Sequence, residues 1–125
     1  MRFNGICLVT NNVDKLRKFY EDILCAESKG DEDFSLLTVC GAKLSIFSEE
    51  GMEFMAPGCM KGSGSGRYTI EFEVEDVDME YERLKTKNIQ IVKPPTTQTW
   101  GRRSVWFRDP DGNIINFYCK VRKIR

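Results

Sequence analysis

The sequence predicts an α+β fold in which the two halves of the chain repeat one order of elements: a strand, a capped helix and a run of strands ending in a hairpin. Two matches support the repeat. Asn12-Val13-Asp14 matches Asp76-Val77-Asp78 at a shift of 64 positions (12 to 76), and residues 41–47 match residues 112–118 at a shift of 71 positions (41 to 112). An unrelated α+β domain with two similar helices is the alternative. Two matches in the same order favour the repeat.

In the first half, residues 3–9 are apolar enough to predict a strand. Asn12 has the side chain of a helix N-cap, and apolar residues then recur at helical spacing over about 13–23. Residues 34–40 and 43–48 are β-prone and are separated by Gly41, which predicts a hairpin.

The second half follows the same plan. Apolar and polar residues alternate over 70–74, and Asp76 is the predicted N-cap of a second helix. Residues 89–92 predict a short strand that Pro94–Pro95 ends. Residues 104–108 and 114–119 predict two strands joined by the turn sequence Asp-Pro-Asp-Gly-Asn.

A chain of 125 residues predicts a single domain with a buried core. The expected divisions are module one over about 1–48, a linker or flap rich in methionine and glycine over about 49–67, module two over about 68–120, and a basic tail over 121–125. The tail is either solvated or a weak anion-binding patch.

Charge and hydropathy exclude several classes of partner. Nineteen basic residues balance nineteen acidic ones, so no net field draws the chain to nucleic acid or to anionic lipid. No apolar run approaches the roughly 20 residues of a membrane helix. Residues 1–12 lack the charge–apolar–small order of a signal peptide, which predicts a cytoplasmic protein.

Histidine is absent, and this removes the commonest general acid/base and the commonest transition-metal ligand. The five cysteines are widely spaced with no C-x-x-C pair, so they are expected to be reduced, partly buried thiols. Without histidine, a Cys–His nucleophile is excluded.

Three segments carry a family resemblance: residues 11–24 (NNVDKLRKFYEDIL), 72–85 (FEVEDVDMEYERLK) and 100–118 (WGRRSVWFRDPDGNIINFY). With these in order, the chain resembles the glyoxalase/bleomycin-resistance (vicinal oxygen chelate) superfamily along nearly its whole length. The resemblance implies two βαβββ modules whose mixed sheets form a cup. It also suggests a homodimer.

The resemblance further implies four positions for metal ligands, two in each module, where metal-using members carry histidine or glutamate. Here those positions hold Gly5, Ser45, Thr69 and Asn116. Glycine has no ligand atom and the other three are weak neutral donors, so we expect no metal and no cofactor. Metal-dependent glyoxalase or dioxygenase chemistry is therefore not expected. A metal held by unusual ligands, such as Cys7 with Glu71, is the remaining alternative.

Strand alternation predicts which side chains face the cup. Those in phase with the four positions are Gly5, Cys7, Val9, Lys43, Ser45, Phe47, Thr69, Glu71, Glu73, Ile114, Asn116 and Tyr118. The apolar out-of-phase residues are expected under the helices: Ile6, Leu8, Leu44, Ile46, Ile70, Phe72, Val74, Ile115 and Phe117. The candidate ligand-binding residues are Phe47, Thr69, Glu71, Trp100, Arg102, Asn116 and Tyr118.

Two candidates have competing interpretations. Glu71 either orients a ligand or acts as a base, or else it pairs with Arg102, Arg103 or Lys43. Trp100 is the preferred pocket tryptophan, whereas Trp106, between Val105 and Phe107, fits a core or a dimer interface at least as well.

The leading hypothesis is a metal-independent protein that binds a small molecule and sequesters an aromatic drug or metabolite. The alternative is an enzyme of this superfamily, of lyase or isomerase type, that uses Glu71 or Tyr118 as acid/base. A scaffold or regulatory module without pocket chemistry is a third hypothesis.

Overall fold

The computed structural model describes residues 1–121 and divides into two compact units, one ending at Gly64 and the other beginning at Ser65. Apart from Val121, the predicted basic tail lies outside the described residues. Within residues 1–121, no helix has both the length and the apolar character needed to cross a bilayer.

The first unit is a βαβββ module followed by a short helix. Its elements are β1 (Gly5–Thr10), α1 (Val13–Leu24), β2 (Ser28–Gly30), β3 (Phe34–Val39), β4 (Ala42–Ser48) and α2 (Glu49–Met55). The sheet has the order β1-β4-β3-β2. Strand β1 runs parallel to β4, and the other pairs are antiparallel.

The second unit repeats the module. Its elements are β5 (Thr69–Glu73), α3 (Val77–Lys85), β6 (Ile91–Gln98), β7 (Arg102–Arg108) and β8 (Ile114–Lys120), in the sheet order β5-β8-β7-β6. The two sequence shifts carry the β1–β4 register pair Cys7–Ser45 onto the β5–β8 register pair Glu71–Asn116. The predicted α+β fold with two βαβββ modules is thus confirmed.

Helix α1 begins where the sequence predicts. The Asn12 side chain accepts a hydrogen bond from the Lys15 backbone N–H at 3.1 Å, which satisfies one of the free donors of the first turn. The buried side chains of the helix are Val13, Leu16, Tyr20 and Ile23, and they pack on β3 and β4.

Helix α3 covers one face of the second sheet. Its buried Val77 and Leu84 lie on the side of the sheet that contains Phe107 and Phe117, whose rings meet edge to face at 4.9 Å. Arg103 of β7 links the helix to the sheet, because its guanidinium donates to both carboxylate oxygens of Asp78. These hydrogen bonds lower the pKa of the Asp78 carboxyl. The opposite face of the sheet is therefore free of this helix.

The predicted apolar set is buried with one clear exception. Leu8, Leu44, Ile46, Ile70, Ile115 and Phe117 are buried, and Phe72 and Val74 are half-buried. Ile6, near the start of β1, is 37% exposed. The alternation therefore assigned the helix-covered face correctly in both modules.

The segment 49–67, predicted to be a linker or flap, contains a helix that the sequence did not predict, because its first part forms α2. Ser48 caps this helix by accepting from the Gly51 N–H at 2.9 Å, and Glu49 and Glu50 lie in the first turn, where the helix dipole favours negative charge. No residue of α2 is buried, so it lacks the apolar periodicity that reveals a helix in a sequence.

The prediction that Pro94–Pro95 ends a strand was wrong, because β6 continues through both prolines to Gln98. Strand β6 lies at the edge of its sheet, and its register with β7 shifts on either side of Lys93. An edge strand with such irregularities can accept residues that lack an N–H donor.

The cysteines are free, as predicted, but less buried than predicted. Cys7, Cys25, Cys40 and Cys59 are exposed, and only Cys119 is half-buried. Cys25 and Cys40 have positive φ at the end of a helix and in a hairpin turn, where side chains project into solvent.

Gly5 allows a close approach between β1 and β4. It is the register partner of Lys43, and a Cβ atom at residue 5 would lie 2.1 Å from the Lys43 carbonyl oxygen. Any side chain at this position would push the two strands apart.

We expect Asn12→Ala to lower the free energy of unfolding by about 1 kcal/mol, because the Lys15 N–H loses its acceptor. Urea denaturation measures the change. Asn11→Ala, at the exposed neighbouring residue, is the matched control and should unfold like the wild type. Equal stability of all three proteins would contradict the assigned cap.

We expect Gly5→Ala to lower the free energy of unfolding by about 1–3 kcal/mol, because the new methyl group collides with the backbone of β4. The control is Gly64→Ala, since a Cβ there meets nothing within 4 Å. The comparison again uses urea denaturation. A Gly5→Ala protein as stable as the Gly64→Ala protein would show that residue 5 has room for a side chain.

Candidate functional site

The sheet face opposite α3 in the second unit carries a row of polar and aromatic side chains. Glu71 on β5, Asn116 on β8, Trp106 on β7 and Lys93 on β6 are successive register partners across all four strands. Register partners point to the same side of a sheet. The next row on that side contains Glu73, Tyr118, Ser104 and Thr96, and Arg102 lies beyond it on β7. We call these nine residues the polar face.

The β7–β8 turn sets the register of this face. Asp109 accepts hydrogen bonds from the backbone N–H groups of Asp111 and Asn113, each at 2.9 Å, and Gly112 adopts a φ of +89°. This turn pairs Arg108 with Ile114 and so places Trp106 opposite Asn116.

Glu71 is held by two neighbours. Asn116 Nδ2 donates to Glu71 Oε2 at 2.9 Å, and Arg102 Nη1 lies 3.5 Å from the same oxygen. The Arg102 and Glu71 side chains are 37% and 49% exposed, whereas Asn116 is only 5% exposed. Because ion pairs this exposed stabilise a fold very little, the pair can open easily for a ligand.

Arg102 also stacks on Tyr118. Its guanidinium carbon lies 3.8 Å from the centroid of the tyrosine ring. A guanidinium on an aromatic ring is a planar cationic surface, suited to anionic and aromatic groups. The structure therefore brings together four of the predicted binding residues: Glu71, Arg102, Asn116 and Tyr118.

Lys93 and Trp106 extend the polar face toward β6. Lys93 Nζ donates to the backbone oxygen and to Oγ of Ser104, at 3.1 and 2.8 Å, and lies 5.1 Å from the centroid of the Trp106 ring. Partial burial, assisted by the charge of Arg103, lowers the pKa of Lys93.

Two buried polar atoms of the polar face have no hydrogen-bond partner within the described protein: Asn116 Oδ1 and Trp106 Nε1. Leaving such an atom unpaired costs about 1–3 kcal/mol. Most buried polar atoms in folded proteins are paired, so two unpaired atoms on neighbouring residues mark this spot as unusual.

The other predicted binding residues lie outside this cluster. Thr69 is in phase with Glu71 and faces the same side of the sheet, but it is exposed at the start of β5, beside Ile114 of β8. Trp100 is 64% exposed between β6 and β7. Phe47 belongs to the first unit, where its ring lies 5.9 Å from that of Phe34 and a Cβ at Gly51 would collide with it.

Sequence reasoning missed three members of the polar face, Ser104, Lys93 and Thr96, and undervalued Trp106. Trp106 is in phase with Arg102 on β7, so alternation along that strand could have assigned it to this face. Ser104 shares the same phase. Lys93 and Thr96 could not be found in this way, because Pro94–Pro95 led to a predicted strand that ends before both residues.

The first unit has a separate acidic cleft of about 430 Å³ beside the start of α1 and the start of α2. Its carboxylates are Asp14, Glu32, Asp33, Glu49 and Glu50. Asp14, Glu49 and Glu50 lie in first turns, where negative charge stabilises a helix. Helix stabilisation therefore explains much of this cleft's charge.

The four positions that metal-using relatives would fill do not fit a transition metal here. Residue 5 has no room for a side chain, and Ser45 Oγ donates to the Ile6 carbonyl. Asn116 is neutral and its Nδ2 is bonded to Glu71. Among residues 1–121, no group of three or more Cys, Asp or Glu side chains is arranged to hold a metal ion.

Known proteins share this architecture. A crystal structure described as a glyoxalase/bleomycin resistance protein/dioxygenase family enzyme from Burkholderia phytofirmans superposes with a TM-score of 0.84, at 14% identity, over 94% of this chain and 98% of that one. At this identity the likeness concerns the fold.

Two curated relatives are similar over nearly the whole chain. The uncharacterized protein YraH of Bacillus subtilis is 29% identical, covering 94% of this chain and 98% of its own. The fosfomycin resistance protein FosX of Listeria innocua is 26% identical, covering 91% of this chain and 86% of its own.

The family itself follows from a match that spans almost every element described above. The sequence model of the Glyoxalase/Bleomycin resistance protein/Dioxygenase superfamily covers residues 2–117. The chain belongs to this superfamily.

Proposed function

We propose that the chain is a metal-independent small-molecule-binding protein of the superfamily, that its site is the polar face, and that it sequesters an aromatic drug or metabolite. The observation that carries this proposal is the convergence of Glu71, Arg102, Asn116 and Tyr118 on one sheet face. The four positions implied for metal ligands, in contrast, hold no side chain suited to a metal.

The chemistry of the polar face supports a ligand that is planar and polar. The Arg102–Tyr118 stack offers a flat surface, and Glu71 offers a hydrogen-bond acceptor beside it. Arg102 can exchange its exposed contact with Glu71 for an anionic group of the ligand at little cost. Glu71 thus orients the ligand in this proposal.

The relationship to FosX supports a role in resistance. That relative is named for resistance to fosfomycin, and similarity covers most of both chains. Binding alone can protect a cell if the protein holds a toxic molecule tightly. A homodimer in the cytoplasm completes the proposal.

We expect at least one member of a panel of aromatic antibiotics and metabolites to bind the full chain with a chelator present. Arg102→Ala should weaken that binding by about tenfold or more, because it removes a charge-assisted contact. Isothermal titration calorimetry gives the dissociation constants. Lys85→Ala on α3, across the sheet from the polar face, is the matched charge control and should bind like the wild type.

Two results would count against the proposal. One is that no ligand of a broad panel binds at millimolar concentration. The other is binding that needs an added metal ion, because the site would then depend on the group that its residues do not fit.

An enzyme is the second candidate, favoured by the FosX relationship and by a half-exposed carboxylate on the polar face. In this alternative Glu71 acts as acid/base, with Tyr118 as the second candidate. The proposed binding function predicts, in contrast, that the chain leaves fosfomycin chemically unchanged.

We expect the chain, incubated with fosfomycin and a thiol or water as nucleophile, to yield no opened product, with or without added Mg²⁺ or Mn²⁺. Mass spectrometry of the reaction measures this. Product that disappears in Glu71→Gln, while the variant remains folded, would establish the enzyme and displace the binding role.

A further inference from the structure

We propose that Asn116 Oδ1 and Trp106 Nε1 form a slot for an amide edge, the adjacent C=O and N–H of a primary carboxamide or a lactam. This inference rests on the function proposed above and adds to it the chemical group that the polar face recognises. We call these two atoms the amide slot.

The two atoms have complementary hydrogen-bond chemistry and belong to adjacent residues. Trp106 and Asn116 are direct register partners on antiparallel strands, which brings their Cβ atoms to about 4.5–5.5 Å. Amide Oδ1 can only accept a hydrogen bond, and indole Nε1–H can only donate one. Both atoms are buried, and they do not bond to each other.

The orientation of Asn116 is fixed by its other amide atom. Nδ2 donates to Glu71 Oε2 at 2.9 Å, so Oδ1 occupies the side of the amide group that points away from Glu71. Strand β8 lies between β5 and β7, and Trp106 is the partner of Asn116 on β7. The acceptor is therefore held in place before a ligand arrives.

Exposed or long side chains lie around the amide slot. Arg102 and Glu71 are 37% and 49% exposed, and Lys93 reaches Trp106 from the edge strand with a long flexible side chain. Displacing Arg102 from Glu71 frees a cation for a ligand that occupies the slot.

Hydrogen-bond chemistry selects the ligand class. A group that serves both atoms needs an N–H beside a C=O in one plane, which a primary carboxamide and a lactam provide. A carboxylate has only acceptors and would face the Asn116 oxygen with like polarity. A tertiary amide lacks the N–H and leaves that oxygen unpaired.

The test uses benzamide as the probe on the ¹⁵N-labelled full chain, with N,N-dimethylbenzamide and benzoate as matched analogues. The chain has two tryptophans, so a Trp100→Phe variant assigns the Trp106 indole signal. We expect benzamide to shift the Trp106 Nε1–H and Asn116 Nδ2–H signals and to bind about tenfold more tightly than either analogue.

Variants separate the slot from the fold. Trp106→Phe removes the donor, keeps an aromatic ring at this position and should abolish the preference for benzamide over N,N-dimethylbenzamide. Tyr81→Phe, on α3 across the sheet, is the aromatic control and should keep the preference. If Trp106→Phe does not fold, the comparison of the three probes on the wild-type chain decides the question.

Failure of the slot is distinct from failure of the proposed function. Equal binding of benzamide and N,N-dimethylbenzamide, or no binding of benzamide up to its solubility limit, overturns the amide slot, even where ligands of the panel shift signals of Arg102 and Tyr118. Absence of any ligand that shifts those two residues overturns the proposed function.

Discussion

The parallel pairing of the first and last strands of each module is the constraint on which the rest of the structure depends. Residues far apart in sequence become neighbours because β1 adds to β4 and β5 adds to β8. The helix between the strands supplies the crossover that a parallel pair requires. Glu71 and Asn116, which lie 45 positions apart, can form a hydrogen bond only because this pairing places β5 beside β8.

The two faces of the sheet in the second unit have different roles. The helix covers one face and buries the apolar residues, so stability resides there. The opposite face needs no apolar partner from α3 and can carry charges, amides and aromatic rings. Its exposed ion pair contributes little to stability, and its unpaired amide and indole atoms cost stability, as is common at sites selected for binding.

The sequence predicted most of the fold and about half of the polar face, for identifiable reasons. The caps Asn12 and Asp76 and the strand alternation act locally, so they reveal the helices and the inward phase of Glu71 and Asn116. Helix α2 has no buried residue and gave no periodic signal. Lys93 was missed because its strand contains prolines whose effect depends on lying at a sheet edge, and that position is set by tertiary structure.

The two prolines of β6 have a consequence for association between chains. Successive residues of a strand direct their N–H groups to opposite sides, so a pair of adjacent prolines deprives the outer side of at least one donor. Register shifts next to Lys93 interrupt the same edge further. A strand from another molecule would find an incomplete ladder there, which protects this sheet against open-ended growth into aggregates.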